Sequence, residues 1–137
     1  MSMPKDNRTW LKRMAKNCKS AQQDAEFRVT LELITLLGMV ALLRNEPATV
    51  QRQASEVILR HVEQRRCPRT PAHNELRCVR NSLAHMSLRF HIKNGHIEGI
   101  FLRDATPDER KENLHHWESL VRKDALQVLI AELAQLG

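Results

Sequence analysis

Residues 72–86, AHNELRCVRNSLAHM, followed by residues 88–102, LRFHIKNGHIEGIFL, decide how this chain is read. Laid out at about 100° per residue, the first stretch gathers Leu76, Val79, Leu83 and Met86 into one apolar stripe. Arg77, Asn81 and His85, spaced by four, share the opposite side. That pattern predicts a helix to about Met86, with Pro71 placed to open its first turn. The second stretch sets Phe90, Ile92, Ile97, Ile100 and Phe101 around Asn94-Gly95, a strong signal for a tight hairpin of strands 88–93 and 96–102. A lone hairpin is marginal in water, so it must lie against helices.

Upstream, residues 24–45 carry apolar side chains around nearly the whole circumference, Phe27, Leu31, Ile34 and Val40 among them, which suits a central helix. Pro47 ends it, Thr49 is placed to cap the next, and residues 50–65 form a helix with Ala54, Val57, Ile58 and Val62 inward. Residues 67–71, with two prolines, form a rigid connector. At the start, Thr9 to Gln22 spaces Trp10, Met14 and Cys18 by four among lysines and arginines. This basic amphipathic helix, with Thr9 as its cap, could lie along a phosphate backbone or fray, and burial of Trp10 favours docking. A last helix, from Pro107 or Asn113 to Leu136, supplies Trp117, Leu120, Val121, Leu126, Leu129, Ile130 and Leu133.

At 137 residues the chain suits one domain, and its 42% hydrophobic content is that of a folded protein. The opening residues lack the apolar core of a signal peptide, which predicts a cytoplasmic protein. The longest apolar run, Val29 to Leu43, contains Glu32 and falls short of the roughly 20 residues a membrane span needs, so no membrane partner is expected. Cys18, Cys67 and Cys78 form no C-x-x-C pair and are expected to be reduced thiols. The net charge of +6 is uneven: residues 1–23 carry +5 and residues 60–103 carry +6, while the rest is acidic. Positive charge concentrated around the motif suits a polyanion such as nucleic acid, although a solvated basic surface has the same composition.

Arg80 and His85 are five apart, about 140° on a regular helix. For both to serve one phosphate, the arginine must reach around, the helix must end near His85, or two copies of the chain must each contribute. The last option points to a two-fold dimer. The run Arg80-Asn81-Ser82-Leu83-Ala84-His85 resembles the R-x4-H motif of the HEPN superfamily, including its polar residue after the arginine. The Asn-Gly-His-Ile-Glu-Gly-Ile run of residues 94–100 is similar to the hairpin of stand-alone HEPN proteins carried on bacterial plasmids and mobile elements. The resemblance spans about residues 24–136.

That resemblance implies an all-α, HEPN-like helical bundle of about four to five helices with a small β-hairpin inserted after the motif helix. Residues 1–23 would be a basic helical arm and 24–137 the HEPN-like domain. It further implies a metal-independent endoribonuclease without cofactor. A ribose 2′-hydroxyl attacks the adjacent phosphate and leaves a 2′,3′-cyclic phosphate, in a toxin or phage-defence role. His85 would carry the proton and Arg80 brace the charge on the phosphorane oxygens, with Asn81 positioning the phosphate or orienting His85. Arg77, Arg89 and Lys93 are the next phosphate contacts. The expected partners are RNA, a second copy of the chain with the motifs at the interface, and an antitoxin protein. The chain departs from toxins with R-x4-H-x-Y, because Met86-Ser87 follows His85 and no tyrosine is present, so control by tyrosine modification is doubtful.

Other readings are weaker. A non-catalytic HEPN-like dimer that holds RNA or a nucleotide keeps the same helices and the same Arg80. A basic DNA-binding helical protein lacks a turn and recognition helix. Cys67, His73, Cys78 and His85 match no zinc spacing, and His115 and His116 read as surface residues.

Overall fold

The computed structural model describes residues 5–20, 25–68 and 74–136. The helices are α1 (Lys5–Ser20), α2 (Ala25–Leu43), α3 (Ala48–His61), α4 (Glu75–Ala84), α5 (Pro107–Lys111) and α6 (Lys123–Leu133). The strands are β1 (Val62–Arg66), β2 (Leu88–Lys93), β3 (His96–Asp104) and β4 (Trp117–Arg122), in one antiparallel sheet ordered β1-β4-β3-β2. The expected all-α bundle of four to five helices with only a small hairpin is therefore wrong. The chain is mixed α/β.

Two short runs account for the difference. Residues 62–65, expected as the end of a helix, turn extended at Val62 (φ −118°, ψ 152°) and pair with β4. Residues 117–122, expected inside the last helix, alternate as a strand. Trp117, Ser119 and Val121 are fully buried on one side, while Glu118, Arg122 and a buried Leu120 lie on the other. Asn113, at φ 57°, stops α5 from running on into this segment. A short apolar run satisfies both the helical and the strand period, and tertiary pairing decided it here.

The hairpin forms as the sequence predicts. Asn94 (φ 53°) and Gly95 (φ 77°) both take the left-handed conformation that a two-residue turn requires, and β3 runs two residues beyond the expected end. On the helix-facing side of β3, Ile100, Leu102 and Asp104 are buried opposite Val121, Ser119 and Trp117. Helix α4 lies on β3 and α6 lies on β3 and β4, with α2 and α3 packed onto them. Helix α1 closes the outer side against α2 and α6.

Helix α1 docks, but through fully buried Leu11 rather than Trp10, which is 56% exposed with Arg13 stacked 5.7 Å from its ring. Thr9 lies inside α1 and Thr49 inside α3, so neither is the cap expected of it. Helix α2 buries Val29, Leu33, Leu36, Met39, Val40 and Leu43, yet leaves Ile34 exposed, so one side of it is open. Among the described residues, no helix is long and apolar enough to cross a membrane. Cys67 is exposed and Cys78 is buried, and no disulfide joins them. Pro71, His73 and the side chains of Cys18 and Phe27 lie outside the described residues.

Candidate functional site

Helix α4 begins with Asn74, whose side chain accepts the Arg77 backbone N–H as an N-cap. Leu76, Val79 and Leu83 face the core as the apolar stripe predicts, and Cys78 and Ser82 form a second buried row. Ser82 ties this row to the sheet: its hydroxyl accepts the Arg103 N–H at 3.0 Å and donates to the Ser87 carbonyl at 2.9 Å. The helix then stops. His85 is the C-cap (φ −98°, ψ 4°) and Met86 follows at φ 53°, out of the apolar stripe and 73% exposed.

These constraints place the motif residues unequally. Arg80 is exposed and donates to the Asn81 side-chain oxygen at 2.7 Å. The Asn81 amide reaches Asp104 at 3.4 Å, a long and weak contact, at the inward-facing end of β3. Asp104 in turn meets the Nε2 of His116 at 3.2 Å, and the Nδ1 of His116 meets Glu109 at 2.7 Å. Glu109 is fixed by the capping box of α5, where its carboxylate accepts the Thr106 N–H and the Thr106 hydroxyl accepts the Glu109 N–H. The Thr106 N–H and the His116 ring hold the Glu109 carboxyl below the usual carboxylate range. A continuous polar chain thus runs from Arg80 to the start of α5.

Cys78 joins this chain from below, hydrogen-bonded to Asp104, and burial together with the Asp104 and Glu75 carboxylates pushes its thiol well up. Glu75 is itself buried, receiving the Trp117 indole N–H at 3.1 Å and the Gln64 amide at 2.7 Å. His85 is exposed, and its ring makes no hydrogen bond, ion pair or ring contact among the described residues.

The other sequence-predicted contacts do not converge on Arg80 in the same way. Arg77 is partly buried, with its Nε lacking a hydrogen-bond partner among the described residues. Arg89 lies over the Phe101 ring at 5.0 Å, on the sheet face away from the helices. That face also carries His91 edge-on to Phe101, Arg66, Arg103 paired with Glu118, and Arg122 paired with Glu63. Lys93 is exposed beside the hairpin turn.

Asp104, Glu109 and His116 were missed in the sequence. The capping box Thr106-Pro107-Asp108-Glu109 is legible there, but nothing local announces that His116 turns inward to Asp104. Of the set Cys67, His73, Cys78 and His85, His73 lies outside the described residues, and the other three form no ligating cluster with one another. Among the described residues, the cluster within ligating reach is Cys78, Asp104 and His116. No family model, curated protein or solved structure matches this chain.

Proposed function

We propose that this chain is a metal-independent endoribonuclease of HEPN type, acting as a homodimer on RNA, with Arg80, Asn81 and His85 at the reacting phosphate. The observation that carries the proposal is the end of α4 at Ala84, which frees His85 from the helical wheel while Asn81 stays linked to the sheet through Asp104. A braced arginine and an unengaged imidazole are the two groups that 2′-hydroxyl attack needs: a cation for the charge that develops and a carrier for the proton. Arg77, Arg89 and Lys93 then serve as phosphate contacts outside the cleavage step. Pairing of two copies is supported by Met86, Phe90 and Ile92, exposed apolar residues at and just before edge strand β2, beside the motif. An antitoxin protein covering the same end of α4 would hold the activity in check, consistent with a toxin or defence role.

The test is incubation of purified protein with total RNA in excess EDTA, comparing wild type with His85→Ala and identifying the cut ends. Cutting by wild type alone, leaving 2′,3′-cyclic phosphates, is the expected result. RNA that is bound and left intact by both proteins overturns it. One observation favours a second reading, a non-catalytic RNA-binding module: the sheet face carrying Arg66, Arg89, Arg103 and Arg122. In that case binding is steeply salt-dependent and indifferent to His85.

A further inference from the structure

Asp104 is buried at the end of β3, and three groups from two other parts of the chain converge on it: the Cys78 thiol and the Asn81 amide from α4, and the His116 imidazole just before β4. The ligating atoms of Cys78, Asp104 and His116 all lie within 4.8 Å of one another. In a tetrahedral zinc site, with bonds of roughly 2.0–2.3 Å, the edges between such atoms are about 3.4–3.6 Å. Closing the gap takes about an ångström of side-chain adjustment, and all three residues sit on or beside regular elements.

The surroundings of His116 point the same way. Its Nδ1 is held at 2.7 Å by Glu109, itself fixed by the α5 capping box, and this directs Nε2 at the cluster. A carboxylate holding the far nitrogen of an imidazole is the usual outer support of a metal-ligating histidine. Charge agrees as well. A thiolate and a carboxylate are balanced by one divalent cation, and buried Glu75 adds negative potential beside Cys78. One sulfur, one nitrogen and one oxygen donor select a borderline-soft ion such as zinc over magnesium or calcium. The partly exposed His116 leaves a side open to solvent for a fourth ligand.

We propose that Cys78, Asp104 and His116 form a binding site for a zinc-class divalent ion, with Glu109 positioning His116. The ion would lock Asp104 and through it Asn81, acting as a clamp behind the motif. The site is independent of the ribonuclease reading, since it involves neither His85 nor RNA.

The test is titration of the full chain with cobalt(II), followed by its visible bands and by the thiolate-to-cobalt charge-transfer band, with zinc competition. Saturation at one equivalent with a charge-transfer band is expected. The band should persist in a Cys18→Ser, Cys67→Ser double variant and vanish in Cys78→Ser. His116→Ala, at a partly exposed position, should weaken binding tenfold or more, and Glu109→Gln about tenfold. No band in wild type, or a band that survives Cys78→Ser, overturns the proposal and leaves a polar cluster only. If Cys78→Ser fails to fold by circular dichroism, His116→Ala decides, and unchanged affinity in that variant overturns it equally.

Discussion

Ser82 sits inside the motif, between the residues assigned to RNA, yet its position gives it a different job. It is fully buried, and its hydroxyl bridges the Arg103 N–H and the Ser87 carbonyl, so it fastens α4 to the start of β2 and the end of β3. Ser82→Ala removes both bonds, each worth about 1 kcal/mol net. Two effects soften the loss. The Arg103 N–H also donates to the Ser87 carbonyl at 2.9 Å, so neither group is orphaned. Alanine is also the better helix former, by about 0.5 kcal/mol. The expected destabilisation is therefore about 1–1.5 kcal/mol, a drop in Tm of roughly 3–6 °C for a chain of this length. Urea unfolding monitored by tryptophan fluorescence would show a lower midpoint at unchanged slope. The proposed RNA cleavage, at a temperature well below both midpoints, should match wild type. A variant as stable as wild type but inactive would refute the reasoning and move Ser82 into the chemistry.

Three further outcomes follow from packing and charge. Gly99→Ala should destabilise by about 1–3 kcal/mol in thermal unfolding, because a Cβ there would lie 2.8 Å from the Val121 carbonyl oxygen across the β3–β4 pair. Trp117→Phe should lower unfolding free energy by about 2–3 kcal/mol, since it strips buried Glu75 of its indole donor at 3.1 Å and leaves unfilled volume. Glu109, with its carboxyl depressed in the folded state by the Thr106 N–H and by His116, contributes stability above its unfolded value, and this is lost as pH falls through the folded one. Acidification should thus loosen the α5 cap, read as a Glu109 carboxyl midpoint below the ordinary glutamate value in an NMR titration that moves together with the Thr106 amide.

Much of the helical frame was legible because its signals are local. The stripe of Leu76, Val79 and Leu83, the Asn94-Gly95 turn and the end of α2 ahead of Pro47 each need only a few neighbouring residues. Strands β1 and β4 were not legible, because each is half of a pairing whose partner lies far along the chain, Val62 against Val121 and Gln64 against Ser119. Without that partner, Trp117, Leu120 and Val121 fit a helix as well as a strand. The error over Trp10 has the same origin. One helical face carries both Trp10 and Leu11 near its edge, and the packing of α1 on α2 and α6 chose the smaller residue. The helix that carries Arg80 and Asn81 was readable, but the groups packed behind it were not. Cys78 and Asn81 come from α4, Asp104 from β3 and His116 from the loop before β4, and only the sheet brings them together.

The sheet also explains why the motif residues differ in freedom. Strand β3 buries Asp104 against α4, and the Asp104 carboxylate reaches Asn81, which in turn takes up one arm of Arg80. On the proposed reading these contacts, the Asn81–Asp104 link being long and weak, bias where the cation sits, and a pre-placed cation stabilises developing charge best. His85 lies one residue beyond the helix, ahead of a left-handed Met86, with no hydrogen bond or ion pair to its ring among the described residues. An imidazole so placed can be oriented by a substrate or by a second copy of the chain docking at β2. On this view the two parts of the motif answer to different perturbations. Asp104→Asn, which keeps the shape but removes the carboxylate that Asn81 and His116 share, should act through the arginine and lower kcat more than it raises KM. On the proposed reading, substitution of exposed Phe90 or Ile92 by a charged residue should act through His85, abolishing the proposed cleavage together with the proposed dimer while leaving the fold and the Arg80–Asn81 contact in place.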